Sequence, residues 1–293
     1  MSVDARWNSG YKPATFDGRD YPFVPQVLGF DPVPSSRNDW MPSPFGIRNQ
    51  LDGDSDVHCC VSCAITTCIE ILDNEEIEDE TQRLSVLHHY YHARKSKRDL
   101  GSVMIRKGLN VASSKGICPF EYHPYPISIE NAMRKPTLEA NRAAKNNRII
   151  YDAAMGSYCY RNILYVRDIN NWRSALRAKR PIVFGFWLTR CYCEINTNDP
   201  IHGSVASIPS NGTGHAVLAV GYDDAAKQII VQDSRGAGFA DEGYWYLPYS
   251  VIQFPGLIDQ AWIIDMSLSP LSRQKIDFLR WFFLPPESQF FNV

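Results

Sequence analysis

The chain has 293 residues, of which 44% are hydrophobic and 21% are charged, and its formal net charge is −2. This composition is typical of a globular protein that buries a substantial core in one large or two small lobes. A charge so close to balance gives no reason to expect nucleic acid or an anionic membrane as a partner, and the oligomeric state is not indicated.

The two ends of the chain differ from its middle. Residues 1–46 are rich in Pro, Gly, Asp and Asn and predict an extended N-terminal arm that lies on a folded body. The first residues, "MSVDARWNSGYKPATF", contain no apolar stretch of the signal-peptide kind, and no later run is long and apolar enough to span a membrane. We therefore expect a protein that is cytoplasmic, or exported without a cleavable signal peptide. Residues 268–293 predict an apolar tail that packs on the body.

Between the ends, helical patterns precede strand patterns. The predicted helices, in chain order, are a helix that opens near Cys60, "TQRLSVLHHYYHARKSK", "SVMIRKGLNVASSKG", "PTLEANRAAKNNR" and "DINNWRSALRAKR" with Asp168 or Asn170 as its cap. The predicted strands are "PIVFGFWL", "HAVLAVGYDD", "QIIVQDS", "GYWYLPY" and "QAWIIDM". This order indicates an α+β fold, with a helical lobe over about 47–165, a β-rich lobe over about 166–267 and a cleft between them.

The segment "HCCVSCAITTC" holds four of the eight cysteines within ten residues. Cys60 and Cys63 form a C-x-x-C pair of the thiol–disulfide type. A zinc site is a second interpretation, with the following residues as its candidate ligands: His58, Cys60, Cys63, Cys68, Cys191, Cys193 and His202. In the third interpretation, one cysteine is a nucleophile at a helix N-terminus, where the helix dipole favours the thiolate.

A nucleophilic cysteine needs a base and a group that orients the base, and the second half of the chain supplies both. In "GTGHAVLAVGYDD", His215 stands at the start of an apolar strand. In "QIIVQDSRGAG", Asp233 stands at the end of the next strand. If these two strands form a hairpin, His215 and Asp233 lie side by side.

These segments resemble the papain-like cysteine peptidases, and more closely their bacterial branch that lacks a signal peptide. "NQLDGDSDVHCCVSCAITTCIE" is similar to the family's nucleophile block, and Glu70, ten residues after Cys60, selects Cys60 as the nucleophile. "GHAVLAVGYDD" is similar to the family's histidine block, and "DSRGAGFADEGYWYLPY" to the block that carries the orienting asparagine. The resemblance covers most of the chain and implies the family's two-lobed fold, with the papain-like domain over 47–267.

The resemblance also implies roles for individual residues. Cys60 would form an acyl-enzyme, His215 would act as acid and base, Asp233 would orient His215, and Gln50 would donate to the oxyanion. Gly101, Ser102 and Val103 would form the wall against which a peptide substrate lies, with Gly214 close by. The implied activity is hydrolysis of peptide bonds in peptides or proteins, without cofactor or metal. An acyl transferase or transamidase that uses the same site, and a non-catalytic peptide-binding pseudo-peptidase, are the alternatives.

The chain departs from the family pattern in four ways. Asp233 replaces an asparagine, and Arg235 replaces a shielding tryptophan, so that Arg235 either exposes the His215–Asp233 contact or pairs with Asp233. "LDGDSD" is inserted between Gln50 and Cys60, so Gln50 reaches the oxyanion site only if this loop bulges outward. His58 and Cys59 replace Gly-Ser before the nucleophile and are expected to narrow the cleft. The arm is a candidate inhibitory segment that fills the cleft.

Overall fold

The computed structural model describes residues 10–13, 23, 39–76, 81–145, 160–163, 166–208 and 212–264. Within them the α-helices are α1 (Cys60–Glu76), α2 (Val86–Ala93), α3 (Ile105–Ser114), α4 (Ile129–Ala132), α5 (Leu138–Ala144), α6 (Ile169–Arg177), α7 (Arg190–Cys193) and α8 (Tyr249–Ile252), with a 3-10 turn at Phe120–Tyr122. The predicted helices are confirmed, and α4, α7 and α8, each of four residues, were not predicted.

Local chemistry fixes where these helices begin and end. Asp168 caps α6 by accepting a hydrogen bond from the backbone N–H of Asn170 at 3.0 Å, which decides between the two predicted caps. Ser85 caps α2, so this helix begins later than the amphipathic pattern indicates. Gly116 ends the third predicted segment with φ +78°, a left-handed conformation that glycine adopts without steric cost.

Nine strands are described. They are β1 (Asp39–Trp40), β2 (Leu51–Asp52), β3 (Ser55–Asp56), β4 (Tyr160–Asn162), β5 (Ile182–Trp187), β6 (Gly214–Asp223), β7 (Gln228–Gln232), β8 (Tyr244–Pro248) and β9 (Ile258–Ile264). All five predicted strands are confirmed. Together with β4 and β1, these five strands form a seven-stranded antiparallel sheet, in which the order is β4-β9-β5-β6-β7-β8 and β1 also pairs with β6. β4 belongs to this sheet although it precedes residue 165, near which the start of the β-rich lobe was predicted.

The core lies where the helices meet the sheet. Helix α1 contacts β5 and β6 on one side and α2 and α3 on the other, and α6 contacts β5 and β6 as well. Because it is covered in this way, β6 is buried along its length except at Asp223. Cys63 and Cys68 lie on α1 in this core, as the helical spacing predicts. Among the described residues, no helix is long and apolar enough to cross a membrane.

Two short pairings hold the beginning of the chain. Asp39 and Trp40 at the end of the arm pair with Tyr222 and Gly221 of β6. β2 and β3 form a hairpin from the inserted "LDGDSD" residues. The tail over 268–293 lies outside the described residues.

Candidate active site

The predicted nucleophile, Cys60, is the first residue of α1 and is fully buried. The backbone N–H groups of Ala216 and Gly10 hydrogen-bond to its sulfur, so the sulfur lies at the start of β6, beside the residue that follows His215. Burial raises the pKa of the Cys60 thiol, and the negative charge of Asp56 raises it further. In this conformation Cys60 is therefore a neutral thiol.

His215 and Asp233 lie side by side, as a hairpin of their strands predicts. β6 and β7 pair antiparallel, and His215 Nε2 lies 3.0 Å from Asp233 Oδ1. The other ring nitrogen of His215, Nδ1, is buried and has no hydrogen-bond partner among the described residues. The ring therefore has one nitrogen held by a carboxylate and the other available for proton transfer.

The Asp233 carboxylate accepts four hydrogen bonds, two on each of its oxygens. Oδ1 accepts from His215 and from the backbone N–H of Ser234 at 2.8 Å. Oδ2 accepts from the Tyr192 hydroxyl at 2.8 Å and from Trp245 Nε1 at 2.9 Å. Burial acts to raise the pKa of Asp233, but the His215 ring and the charge of Arg235 outweigh it and lower the pKa to about 2. Asp233 is therefore a carboxylate at any ordinary pH.

Arg235 does not expose the His215–Asp233 contact, because His215 and Asp233 are both buried. Arg235 Nε donates to the Tyr192 hydroxyl at 3.1 Å, and that hydroxyl donates to Asp233, so the arginine reaches the carboxylate through the tyrosine. Tyr192 and Trp245 are site residues that the sequence reasoning missed. The available signals were an aromatic residue between Cys191 and Cys193 and another inside "GYWYLPY".

Gln50 is buried beside Asp233, because its backbone N–H donates to Ser234 O at 2.7 Å. The inserted residues project outward as the hairpin of β2 and β3, and Val57 N donates to Gln50 O at 3.2 Å to close its base. However, the Gln50 side chain is already engaged. Its Nε2 donates to both oxygens of Asp56 at 2.8 Å, and its Oε1 accepts from Ser234 Oγ. Asp56, a third residue that the sequence reasoning missed, therefore binds the donor that was assigned to the oxyanion.

His58, which stands where the resemblance expects a glycine, has a left-handed backbone conformation. Its φ is +62°, in the left-handed region that a side chain rarely adopts, and its backbone N–H donates to Asp56 Oδ1 at 2.7 Å. Gly10 of the arm lies directly on it, since a Cβ built on Gly10 would lie 1.7 Å from His58 O. The His58 carbonyl and the arm are thus in van der Waals contact over the nucleophile.

The predicted substrate wall is covered by the arm. Val103 N donates to Gly10 O at 2.6 Å and Lys12 N donates to Val103 O at 3.0 Å, a parallel pairing of two short segments. Tyr11 also bridges to Gly214 on the opposite side. Of the other two predicted wall residues, Gly101 exchanges hydrogen bonds with the Tyr90 hydroxyl, and Ser102 is exposed.

The described cysteines form no disulfides, and two further histidines are fully hydrogen-bonded in the core. Cys59, Cys60, Cys63, Cys68, Cys118, Cys191 and Cys193 are all free thiols, and Cys159 lies outside the described residues. His202 bonds Thr189 and Gly203 O, while His89 bonds Ser62 and Gly108 O, so both are satisfied in the core. Within the described part of the chain, no group of three or more His, Cys, Asp or Glu side chains is arranged to hold a metal ion.

Known proteins are similar to this chain in sequence or in fold. No protein-family model matches the chain. An uncharacterized peptidase C1-like protein of Acanthamoeba polyphaga mimivirus is 26% identical over 223 residues, which are 72% of this chain and 68% of the relative. Xylellain, a cysteine protease from Xylella fastidiosa, superposes with a TM-score of 0.73 at 25% identity, covering 90% of this chain and 98% of its own.

More distant structures agree on the architecture. A digestive procathepsin L2 proteinase from the larval midgut of Tenebrio molitor gives a TM-score of 0.67 at 18% identity, over 89% of this chain and 79% of its own. An identity this low supports the fold alone. With its helical layer and its antiparallel sheet, the chain has the papain-like fold and is similar to the papain-like cysteine peptidases, and it is a cysteine-type peptidase.

Proposed function

We propose that this peptidase cleaves peptide bonds in peptides or proteins through an acyl-enzyme on Cys60. His215 is its acid and base, Asp233 orients His215, and Gln50 donates to the oxyanion. The observation that carries the proposal is the His215 ring, which is bound to Asp233 through Nε2 and has a buried Nδ1 without a partner among the residues described. The Ala216 N–H on the Cys60 sulfur supports the closeness of nucleophile and base.

The chemistry assigns each proton a place. Cys60 gives its thiol proton to His215 Nδ1, and the sulfur attacks the substrate carbonyl carbon, whose oxygen becomes an oxyanion. His215 then returns the proton to the leaving amine as the C–N bond breaks and a thioester remains on Cys60. Water, deprotonated by His215, then attacks the thioester carbonyl, the C–S bond breaks, the acid leaves, and the proton on His215 returns to the Cys60 sulfur. An added amine in place of water would give transamidation, which the masses of the products distinguish.

The oxyanion step requires a rearrangement. Gln50 Nε2 is bound to the Asp56 carboxylate, a negative group that occupies the donor just as an oxyanion would. We infer that Asp56 leaves Gln50 when substrate binds. Removing one oxyanion donor typically costs about 10²–10³ in rate, so this exchange governs much of the catalytic rate.

We further propose that the arm inhibits the enzyme. Gly10 lies on His58, its N–H reaches the Cys60 sulfur, and its carbonyl accepts from Val103. A substrate needs these same positions. The arm also buries Cys60, and burial is the main reason that the pKa of its thiol is raised. Displacing the arm therefore opens the cleft to a substrate.

The catalytic assignment is tested by covalent labelling with an epoxysuccinyl peptide, located by peptide mass spectrometry. We expect the label on Cys60 alone, lost in Cys60→Ala and greatly slowed in His215→Ala. Cys59 and Cys63 are the matched controls, because both are buried cysteines beside the nucleophile. A label on either of them, or equal labelling with and without His215, would overturn the assignment.

Inhibition by the arm is tested in the full chain with Gly10→Ala. The new methyl group cannot share space with His58 O, so the arm must leave the cleft. We expect faster labelling of Cys60 and faster peptide hydrolysis than in the parent chain. Gly238→Ala is the control, because a Cβ there meets nothing within 4 Å and the residue is exposed. Equal rates in all three proteins would mean that the arm does not inhibit.

A further inference from the structure

Arg235 lies behind the Asp233 carboxylate with its guanidinium buried. It stands where the resemblance expects a tryptophan, and it is only 8% exposed. Its Nε donates to the Tyr192 hydroxyl at 3.1 Å, and that hydroxyl donates to Asp233 Oδ2 at 2.8 Å. An arginine can only donate and a carboxylate can only accept, so the hydroxyl between them has one possible direction. The three groups form a chain of hydrogen bonds in which each bond polarises the next.

Tyr192 is a rigid link in this chain. It is fully buried, and its ring centroid lies 5.7 Å from that of His215. Its backbone N–H donates to Thr189 Oγ1 at 3.2 Å, which caps α7. A tyrosine held at its backbone, its ring and its hydroxyl has little freedom to move. Tyr192 therefore connects Arg235 to both members of the His215–Asp233 pair.

The charge of Arg235 acts on the groups around it. Burial acts to lower the pKa of Arg235, but Tyr192 and Asp233 outweigh burial and raise it, so the guanidinium stays charged. A fixed positive charge favours the unprotonated form of nearby groups. The titratable and charged groups that face Arg235 and Asp233 are Tyr192 and Cys193 of α7, Asp56 of β3, Cys60 and Cys63 of α1, His215 of β6, and Arg48, which is paired with Glu70. Without the charge of Arg235, this site should take up protons at a higher pH.

We propose that Arg235 is a positioning residue for the reaction, which acts through Tyr192 to hold Asp233 against His215 and whose charge extends the activity towards acid pH. This inference rests on the proposed function of the Cys60 site. There the first step needs His215 Nδ1 without a proton, because that nitrogen takes the proton of Cys60. A positive charge close to the ring opposes the binding of another proton in advance. A tryptophan, the residue that the resemblance expects, would supply no such charge.

The test measures two rates from pH 4 to 9 in the full chain carrying Gly10→Ala, in which the arm does not cover Cys60. They are kcat/KM on one fluorogenic peptide and labelling of Cys60 by iodoacetamide, an uncharged reagent. Arg235→Met removes the charge and keeps the length of the side chain, and we expect the acid limb of both profiles to move up by about one pH unit. Rates at pH 5 should then fall about tenfold further than rates at pH 8. Arg235→Lys keeps the charge and should retain the acid limb of the parent.

Tyr192→Phe tests the link without changing the packing of the ring. It removes the hydroxyl between Arg235 and Asp233, so we expect kcat to fall about tenfold, the usual effect of losing a hydrogen bond to a charged group. KM should not change, because Tyr192 is fully buried and offers no surface to a substrate. This variant also decides the inference if Arg235→Met does not fold: a kcat equal to that of the parent would overturn it.

Arg173→Met is the matched control. Arg173 also binds a carboxylate, Asp224, at 2.6 Å, and its Cζ lies 5.9 Å from the ring centroid of a tyrosine, Tyr222, as that of Arg235 does from Tyr192. Asp224 follows the far end of β6, about 30 Å from His215 along the strand. The acid limb of Arg173→Met should therefore be that of the parent. An acid limb that stays in place in Arg235→Met, or that moves equally in Arg173→Met, would overturn the inference.

The two rates separate a failure of this inference from a failure of the proposed function. If labelling of Cys60 has an acid limb that depends on Arg235 and no peptide is hydrolysed, the positioning inference holds and the peptidase proposal fails. If peptides are hydrolysed with the same acid limb in the parent and in Arg235→Met, only the positioning inference fails. If the label does not go to Cys60, the catalytic assignment falls and the positioning inference falls with it.

Discussion

Two buried carboxylates lie close to the predicted nucleophile and are used in opposite ways. Asp233 accepts four hydrogen bonds, one from His215 and three from groups that hold the carboxylate in place. Asp56 accepts from Gln50, the donor that the proposed reaction requires for the oxyanion. In the proposed mechanism, the Asp233 corner (Asp233 and its donors) is therefore organised before substrate arrives, while the Asp56 corner (Asp56 and Gln50) must rearrange. An acid near an active site is informative only together with the donors that it occupies.

The largest expected effect on activity comes from replacing Asp233. Asp233→Ala leaves His215 without its acceptor and should lower kcat/KM by about 10²–10⁴. Asp233→Asn keeps an acceptor for His215 and should cost about tenfold, although asparagine is the usual residue of the family. The reason is Trp245, whose indole N–H only donates and would then face the amide NH₂.

Kinetics on one fluorogenic peptide measure both variants. The same asparagine variant should also be less stable in urea by about 1–3 kcal/mol, the cost of a buried donor without an acceptor. Full activity and stability in Asp233→Asn would show that the Tyr192 and Trp245 donors adapt and that the corner is less organised than we argue.

The second effect is a pH dependence of stability. The folded-state pKa of Asp233 is about 2, below its unfolded value of about 3.9. Its contribution is therefore present above about pH 4 and is lost as the pH falls through about 2, and it amounts to about 2 kcal/mol. Urea unfolding of the parent chain and Asp233→Asn at pH 7, 4, 3 and 2 should show the difference between them narrowing by that amount. A difference that is constant with pH would contradict the lowered pKa.

The sequence predicts the organised corner well and the rearranging corner poorly. His215 and Asp233 each stand at a strand end, so a hairpin register was enough to bring them together. Gln50 lies next to Ser234, but its partner Asp56 was not predicted, because Asp56 lies in an inserted hairpin whose turn decides which way its side chain points. Tyr192 was missed for a similar reason, since it lies on a four-residue helix that has no periodic pattern.

The arm shows the same limit. Its composition predicts an extended segment, but no periodicity indicates that Gly10 rather than a neighbouring residue lies on His58, or that Tyr11 enters a pocket made by Gly185 and Gly214. Those contacts join residues far apart in the chain. The glycines at these contacts were the only feature of the sequence that indicated them.

A smaller effect tests the charge of the rearranging corner. The charge of Asp56 is second only to burial in raising the pKa of Cys60, so Asp56→Asn should lower that pKa. One pKa unit is a tenfold change in the thiolate fraction, and we expect labelling of Cys60 near pH 6 to quicken by about tenfold. Asp54→Asn is the matched control, because it removes the same charge from the exposed turn of the same hairpin. Equal rates in the two variants would mean that Asp56 does not act on Cys60.

The smallest effect concerns His58, which lies between Asp56 and Cys60 in the chain. His58 holds φ +62°, and its N–H is bound to Asp56. Glycine relieves the left-handed strain but loses more entropy on folding, so His58→Gly should stabilise the fold by only about 0.5 kcal/mol. Lys179→Gly, at φ +57° after α6, makes the same backbone change far from the nucleophile and should give a similar gain. If urea unfolding shows equal gains and labelling of Cys60 is unchanged, the histidine at this position is a tolerated replacement. A loss of labelling confined to His58→Gly would instead make its imidazole part of the site, and the cleft would then be shaped by the very residue that departs from the family pattern.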